Sequence, residues 1–383
     1  MIRFLDGGES HGKALVAIIE GFPAGFNIDE NYINKRLLLR QSGYGRGGRQ
    51  KIEKDRVEFI SGVRFGQTIG SPITMVIYNR DFENWKDVMS PLGRPTDQKR
   101  VSRPRPGHAD LVGYLKYNRS DIRDVLERSS ARETAIRVAV GALCEAALEE
   151  IGVNMFAFVR SIGRVRLSDV DYNDDNLIDK IEKSPVFCPD ERTTDLMIAE
   201  IEKAKAEGDS IGGSVEVVAR GVVCGLGSYS FYDRRLDARI ASCLVGIQAV
   251  KAVEIGDGFE NASKFGSEVH DEIVYEDGYR RLTNRAGGIE GGMSNGEDII
   301  VRAYMKPIPT LKKGLRSVDI DTHKEELSAF ERSDVCAVPA LSIVAKSAVA
   351  FEIFKAYLEK FGSDTMDELK ERVAAYKSYL IKK

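Results

Sequence analysis

Thr134-Ala135-Ile136-Arg137-Val138-Ala139-Val140-Gly141-Ala142-Leu143-Cys144-Glu145-Ala146-Ala147-Leu148-Glu149-Glu150-Ile151 has the period of a helix and is closed by Gly152. Its apolar residues are not confined to one stripe: Ala135, Ile136, Val138, Ala139, Val140, Ala142, Leu143 and Cys144 circle the axis, so the helix must be buried on more than one side. Ile240 to Val250 and Leu341 to Phe354 read in the same way. Three such helices need apolar surfaces around them. The strand-like segments Val153 to Leu167, Val215 to Val223 and Ile299 to Met305 can supply those surfaces. Their alternation, clearest in Ser214-Val215-Glu216-Val217, suits antiparallel sheets with one wet face. The expected fold class is therefore α+β, with long apolar helices sandwiched between sheets.

Working outward, Ala14 to Ile19, Val57 to Ile60 and Ile73 to Tyr78 read as strands. Asp29 caps a helix that runs to Gln41, and Ser363 to Lys383 reads as an amphipathic helix. At 383 residues the chain is long enough for a large core. We expect one domain over residues 1–383. Hydrophobic content of 43% and charged content of 30% are those of a soluble globular protein. Lys and Arg number 56 and Asp and Glu 59, a formal net charge of −3, which argues against general nucleic-acid binding. No apolar run has the length of a membrane span and the N-terminus lacks a signal-peptide pattern, so the expected location is cytoplasmic. Cys144, Cys188, Cys224, Cys243 and Cys336 are widely spaced and read as buried thiols. His11, His108, His270 and His323 also lack metal-ligand spacing.

Several pieces carry chemistry. In Arg103-Pro104-Arg105-Pro106-Gly107-His108-Ala109-Asp110 the prolines and glycine exclude a helix, so Arg105 and His108 are expected on a stiff loop. A polar segment leads on to Arg128-Ser129-Ser130-Ala131-Arg132, directly before the helix near Thr134. Backbone donors with Ser and Arg side chains suit a phosphate there; an ordinary helix cap with solvated arginines is the plain alternative. Gly7-Gly8-Glu9-Ser10-His11-Gly12 exposes His11 in a turn. Gly43-Tyr44-Gly45-Arg46-Gly47-Gly48-Arg49 spells Gly-x-Gly-x-x-Gly but follows a helix rather than a strand, so the dinucleotide-fold reading fails on context. What remains is a flexible loop carrying Arg40, Arg46 and Arg49. It is either solvated or folds over an anionic ligand. Residues 67 to 100 are punctuated like a lid or binding loop. Gln248 sits in the second apolar helix and needs a partner. Arg285 to Gly296 is glycine-rich and offers backbone amides, Lys306-Pro307-Ile308-Pro309-Thr310 is stiffened by proline, and Glu331-Arg332-Ser333-Asp334 leads to a helix start at Pro339.

In this order the pieces resemble the chorismate synthase family nearly end to end. The match rests on Gly8 to Gly12, Arg40 to Arg49, Arg105 to Asp110, Arg128 to Arg132, Gly287 to Gly296, Lys306 to Thr310, and Arg332 to Asp334. One departure is Asp6-Gly7-Gly8, where the family commonly has Thr-Ala-Gly or a relative of it. The resemblance implies a β-α-β sandwich, with helices between two antiparallel sheets, and a homotetramer. It also implies loss of phosphate from 5-enolpyruvylshikimate 3-phosphate by 1,4-elimination, dependent on reduced FMN. Arg40, Arg46, Arg49, Arg105, Arg132 and Arg332 would then hold the substrate's phosphate and carboxylates, with Arg40 and Arg46 alternatively meeting the phosphate of NADP. His11 would protonate the leaving phosphate, His108 would protonate the flavin or balance its charge, and Asp334 would take the flavin N5 proton. FMN would touch Arg128, Ser129, Ser130, Gln248, Ala249, Gly291, Lys306, Pro307, Ile308, Pro309, Thr310 and Arg332. The rivals are a flavin reductase, a phosphatase, and an Arg/Gly-loop RNA-binding protein; the last is disfavoured by the charge and by arginines without interleaved aromatics.

Overall fold

In the computed structural model, which describes residues 2–47, 53–276, 278–331 and 333–383, the chain begins with β1 (Arg3–Gly7), β2 (Ala14–Glu20), α1 (Glu30–Gln41), β3 (Glu58–Ser61) and β4 (Ile73–Tyr78). It continues through α2 (Asp110–Tyr117), α3 (Arg123–Ser129), α4 (Thr134–Glu149), β5 (Asn154–Ile162), β6 (Val165–Arg166), α5 (Leu177–Lys183) and α6 (Glu191–Ala206). It ends with β7 (Gly213–Arg220), α7 (Leu236–Val245), β8 (Val250–Ile255), β9 (Ile299–Met305), α8 (Val338–Phe361) and α9 (Met366–Ile381).

Alternation builds the first antiparallel sheet, of order β1-β2-β4-β3. Leu15, Ala17 and Ile19 pair with Ile77, Met75 and Ile73, and all six are buried on one face. The second sheet, β8-β9-β7-β5-β6, is also antiparallel. Helix α4 packs against β2 and β4 of the first sheet, α8 packs against β5 and β7 of the second, and the two helices pack against each other. That is why both are apolar all round. Gly141 marks their crossing: a Cβ there would lie 2.3 Å from the Ser347 carbonyl oxygen, so only glycine lets the backbones approach this closely. Between α1, α4 and α8 lies a buried ion cluster in which Glu145 accepts from Lys346 Nζ (2.7 Å) and Arg36 Nη2 (2.9 Å).

Several expectations are corrected. The helix expected to run from Ile240 to Val250 stops at Val245; Gly246 caps it, Ala249 takes a left-handed conformation (φ 68°), and Val250 pairs with Met305 in β8. Gln248 is thus in a turn, and Val245 is exposed. Val153 to Leu167 is a hairpin that turns at Gly163 rather than one strand. The polar segment after Asp110 forms α2 and α3. Cys224 and Cys243 are half-buried, unlike the other three thiols. The amphipathic tail does form, as α9, with Thr365 and Glu368 in a reciprocal cap.

Candidate active site

The turn after β1, the loop after α1, the loop from β4 to α2, the turn before α4, the turn after α7 and the loops after β9 and before α8 together wall a cavity of about 560 Å³. That size suits small-molecule ligands. One side is cationic, through Arg40, Arg46, Arg105 and Arg132. Another is apolar, through Ile247, Met305, Ile308, Leu341 and Val344.

Buried carboxylates fix the guanidinium groups. Arg132 Nη1 donates to both oxygens of Asp55 at 2.7 Å, and its Nε donates to Asn79 Oδ1 at 2.9 Å. Its Nη2, 3.7 Å from Glu53, has no hydrogen bond among the described residues. Arg46 pairs with Asp334 through Nη1 at 2.7 Å, while its buried Nε likewise lacks a partner among them. Arg40 differs, because each of its nitrogens donates to the protein: to Thr134, Asp55 and the Ala131 carbonyl. It belongs to the last turn of α1, not to the loop. Burial and the charges of Arg132 and Arg46 pull it down to about 9 against the pull of Asp55, so it remains protonated at neutral pH.

The loop after α1 is docked rather than flexible over its described part: the Gly45 carbonyl accepts from Val335 and Cys336, and Gly47 N–H donates to Asp334 Oδ1 at 2.6 Å. Arg49 and Arg332 lie outside the described residues.

Both catalytic candidates among the histidines line the cavity, each backed by a carboxylate. His108 Nδ1 lies 2.6 Å from Asp110 Oδ1, and Arg105 grips the same carboxylate through Nε (2.8 Å) and Nη2 (3.0 Å) while donating to Thr310 Oγ1. Burial alone would raise the Asp110 carboxyl, but hydrogen bonds from His108 and Arg105 hold it well below the usual range. Arg105 and His108 do sit on a non-helical loop, as the prolines dictate. His11 is not exposed: its side chain is 12% accessible, bonded through Nδ1 to Glu127 Oε1 at 2.9 Å and stacked on Trp85.

Ser129, Ser130, Gln248, Ala249, Lys306, Ile308, Pro309 and Thr310 also line the cavity. Ser130 accepts from Arg132 N–H and so caps the short turn before α4, but Arg132 is buried rather than solvated as the plain capping alternative had it; Ser129 donates to the Val125 carbonyl. Gln248 Nε2 donates to Glu133 at 2.7 Å, leaving Oε1 buried without a partner among the described residues. Burial and the Asp6 carboxyl raise Glu133. Arg128, Gly291 and Pro307 are not on the wall. Arg128 instead ties α3 to the Gly8 carbonyl and lies 3.3 Å from the Asp6 carboxylate. Trp85, Glu127, Asp110 and Asp55 received no role from the sequence. Asp110 was visible inside its motif and Trp85 as the single tryptophan; Glu127 and Asp55 gave no signal.

Two histidine–carboxylate pairs and two guanidinium groups with a nitrogen unpaired among the described residues line one cavity, an arrangement chemically suited to proton transfer beside an anionic small molecule. The comparisons agree. A family model described as chorismate synthase matches residues 2–358. Chorismate synthases of Desulforamulus reducens and Caldicellulosiruptor bescii are 53% and 55% identical, covering 99% and 97% of this chain and 99% and 98% of their own. A crystal structure of chorismate synthase superposes with a TM-score of 0.81 at 40% identity, covering 100% of this chain and 99% of its own. The chain belongs to the chorismate synthase family, lyases that act on carbon–oxygen bonds.

Proposed function

We propose that this enzyme converts 5-enolpyruvylshikimate 3-phosphate to chorismate and phosphate with reduced FMN. The observation that carries the reading is that Arg46 and Arg132, both lining the cavity, each have a buried nitrogen with no hydrogen bond among the described residues, and that the same cavity has an apolar lining. A buried charged donor without a partner is costly, and anionic oxygens would offset that cost. The apolar lining and Gln248 Oε1, which has no partner among the described residues, fit a flat heteroaromatic ring with polar edges. FMN would lie against Ser129, Ser130, Gln248, Ala249, Lys306, Ile308, Pro309 and Thr310, which line the cavity.

In the reaction the C3–O bond to phosphate breaks and the C6 hydrogen leaves, with no net redox change. Reduced FMN, when bound in the cavity, would supply the electron that lets phosphate leave and would recover it with the C6 hydrogen, so that it is unchanged overall. Arg105 and Arg132, with Arg49 and Arg332, hold the phosphate and carboxylates. His11 gives a proton to the departing phosphate, and His108 balances charge beside the flavin. Asp334, ion-paired with Arg46 at 2.7 Å, would be the residue to accept the flavin N5 proton. Arg40, each of whose nitrogens donates to the protein, shapes the wall, and Arg46, whose Nε has no hydrogen bond among the described residues, would be the one to meet the phosphate of NADP.

The helices packed between the two sheets support the β-α-β sandwich as one domain. Exposed Leu5 and Ile18, paired on the outer face of the first sheet, support self-association as a homotetramer. Among the described residues no helix is long and apolar enough to cross a membrane, which agrees with a cytoplasmic enzyme. Anaerobically, reduced FMN should release phosphate with chorismate and oxidised FMN should release none; equal release with either, or phosphate without chorismate, overturns the reading.

Asp334→Asn isolates the proton acceptor. An amide oxygen can still accept from Gly47 N–H, so the loop should stay docked while basicity is lost. We expect FMN and substrate to bind nearly normally while single-turnover rate falls by about a hundredfold or more. Lost affinity at an unchanged rate would make Asp334 structural.

A further inference from the structure

We propose that Glu127 and Trp85 are positioning residues for His11, holding its imidazole with Nδ1 turned to α3 and Nε2 left for the ligand. The inference rests on the proton-donor role given to His11 above.

Glu127 lies near the end of α3 and is wholly buried. Its Oε2 accepts the His11 backbone N–H at 2.7 Å, and Oε1 and Oε2 lie 2.9 and 3.0 Å from Nδ1. Its own carbonyl accepts Ser10 N–H at 2.9 Å, so one residue anchors the turn at three points. An ionised carboxylate only accepts, so Nδ1 carries one proton and Nε2, which has no hydrogen bond among the described residues, is the ring nitrogen to meet phosphate; the proton given there is the second one, carried by the imidazolium that the carboxylate stabilises. Burial alone would raise Glu127, yet His11 and the Arg123 guanidinium hold it below its usual range.

The ring plane is fixed separately. Trp85 stacks on His11 with centroids 3.9 Å apart and planes 23° apart. Lys99 Nζ lies 3.5 Å and Arg123 Cζ 5.1 Å from the indole centroid, within cation–π range. Arg123 unites the assembly, donating to Glu127 Oε1 at 3.1 Å, to the Lys99 carbonyl at 2.7 Å and to Glu331 Oε1 at 2.8 Å. Glu331 lines the cavity three positions before Asp334, so the proton donor and the proton acceptor of the proposed reaction share one framework.

Packing alone would not require a charge at position 127. Glu127→Gln keeps the shape and can still accept the His11 backbone N–H, but it then turns an amide N–H toward Nδ1. The ring proton is driven to Nε2 without a charge, and neutral imidazole is a far weaker acid than imidazolium. For Glu127→Gln we expect kcat to fall by roughly a hundredfold or more, as other active sites lose rate when a carboxylate–histidine pair takes the wrong tautomer. KM and the affinity for reduced FMN, read from flavin absorbance, should stay within about threefold. Trp85 is the single tryptophan, so its emission reports the stack directly: an imidazolium quenches indole more than neutral imidazole, and Glu127→Gln should brighten it. If Glu127→Gln does not accumulate folded, Trp85→Leu decides, with a fall of about tenfold in kcat at unchanged KM expected. Unchanged kcat, or kcat falling together with ligand affinity, overturns the inference while the proposed function stands. Wild-type enzyme that releases no phosphate with reduced FMN overturns that function, and the inference with it.

Discussion

His11→Ala and His108→Ala are each expected to lower turnover by roughly a hundredfold to ten-thousandfold, the usual contribution of a positioned general acid. That is about 3 to 5 kcal/mol of barrier. Both rings line the cavity and both are held by buried carboxylates, Glu127 and Asp110. Truncation leaves those buried carboxylates without their imidazole partner where an anion must bind. Affinity for substrate should fall modestly and rate steeply. His270 and His323 are exposed and stand outside the cavity, and their alanine variants should match the wild type. Steady-state turnover of the four variants decides the matter; four equal effects would remove the two histidines from the chemistry.

Glu145→Ala should be the most destabilising change in the core, by about 3 to 5 kcal/mol, because it leaves buried cations without their anion. Glu145 is 1% exposed and lies between Lys346 and Arg36. Burial alone would raise its carboxyl, but the two cations hold it below the usual range, so it stays ionised in the fold. Burial lowers the Lys346 ammonium. Replacing Glu145, Lys346 and Arg36 together by Met should recover most of the loss, since apolar groups of similar volume replace buried ion clusters well. Urea unfolding midpoints of the three proteins measure this; a single variant within 1 kcal/mol of wild type would show that the cluster adds little to stability.

The same positions show what a sequence can and cannot reveal. Helix α4 was legible because Ala135 to Cys144 are apolar on every side, a pattern that only burial between layers satisfies. Strands β4 and β9 were legible as short apolar runs, Ile73–Tyr78 and Ile299–Met305. The end of α7 was not, because Ile247 and Val250 continue an apolar run whose period cannot separate a buried helix from a strand. Only pairing of Val250 with Met305 resolves it. Arginines and histidines stood out at the site through proline- and glycine-rich spacing. Their carboxylate partners did not, since Glu127 meets His11 across 116 positions and Asp55 meets Arg132 across 77. Such pairs are made by the packing of α3 and α4 under the first sheet's loops, and no local pattern records them.

The most direct test counts product against flavin. Under strict anaerobiosis, pure protein with a small, known amount of chemically reduced FMN and excess 5-enolpyruvylshikimate 3-phosphate should form chorismate and phosphate in equal amounts. Both should exceed the flavin many times over, with the flavin still reduced when substrate is exhausted. A yield that stops at one chorismate per flavin would contradict the account, because the flavin would then be a spent reagent rather than a cofactor held in the cavity.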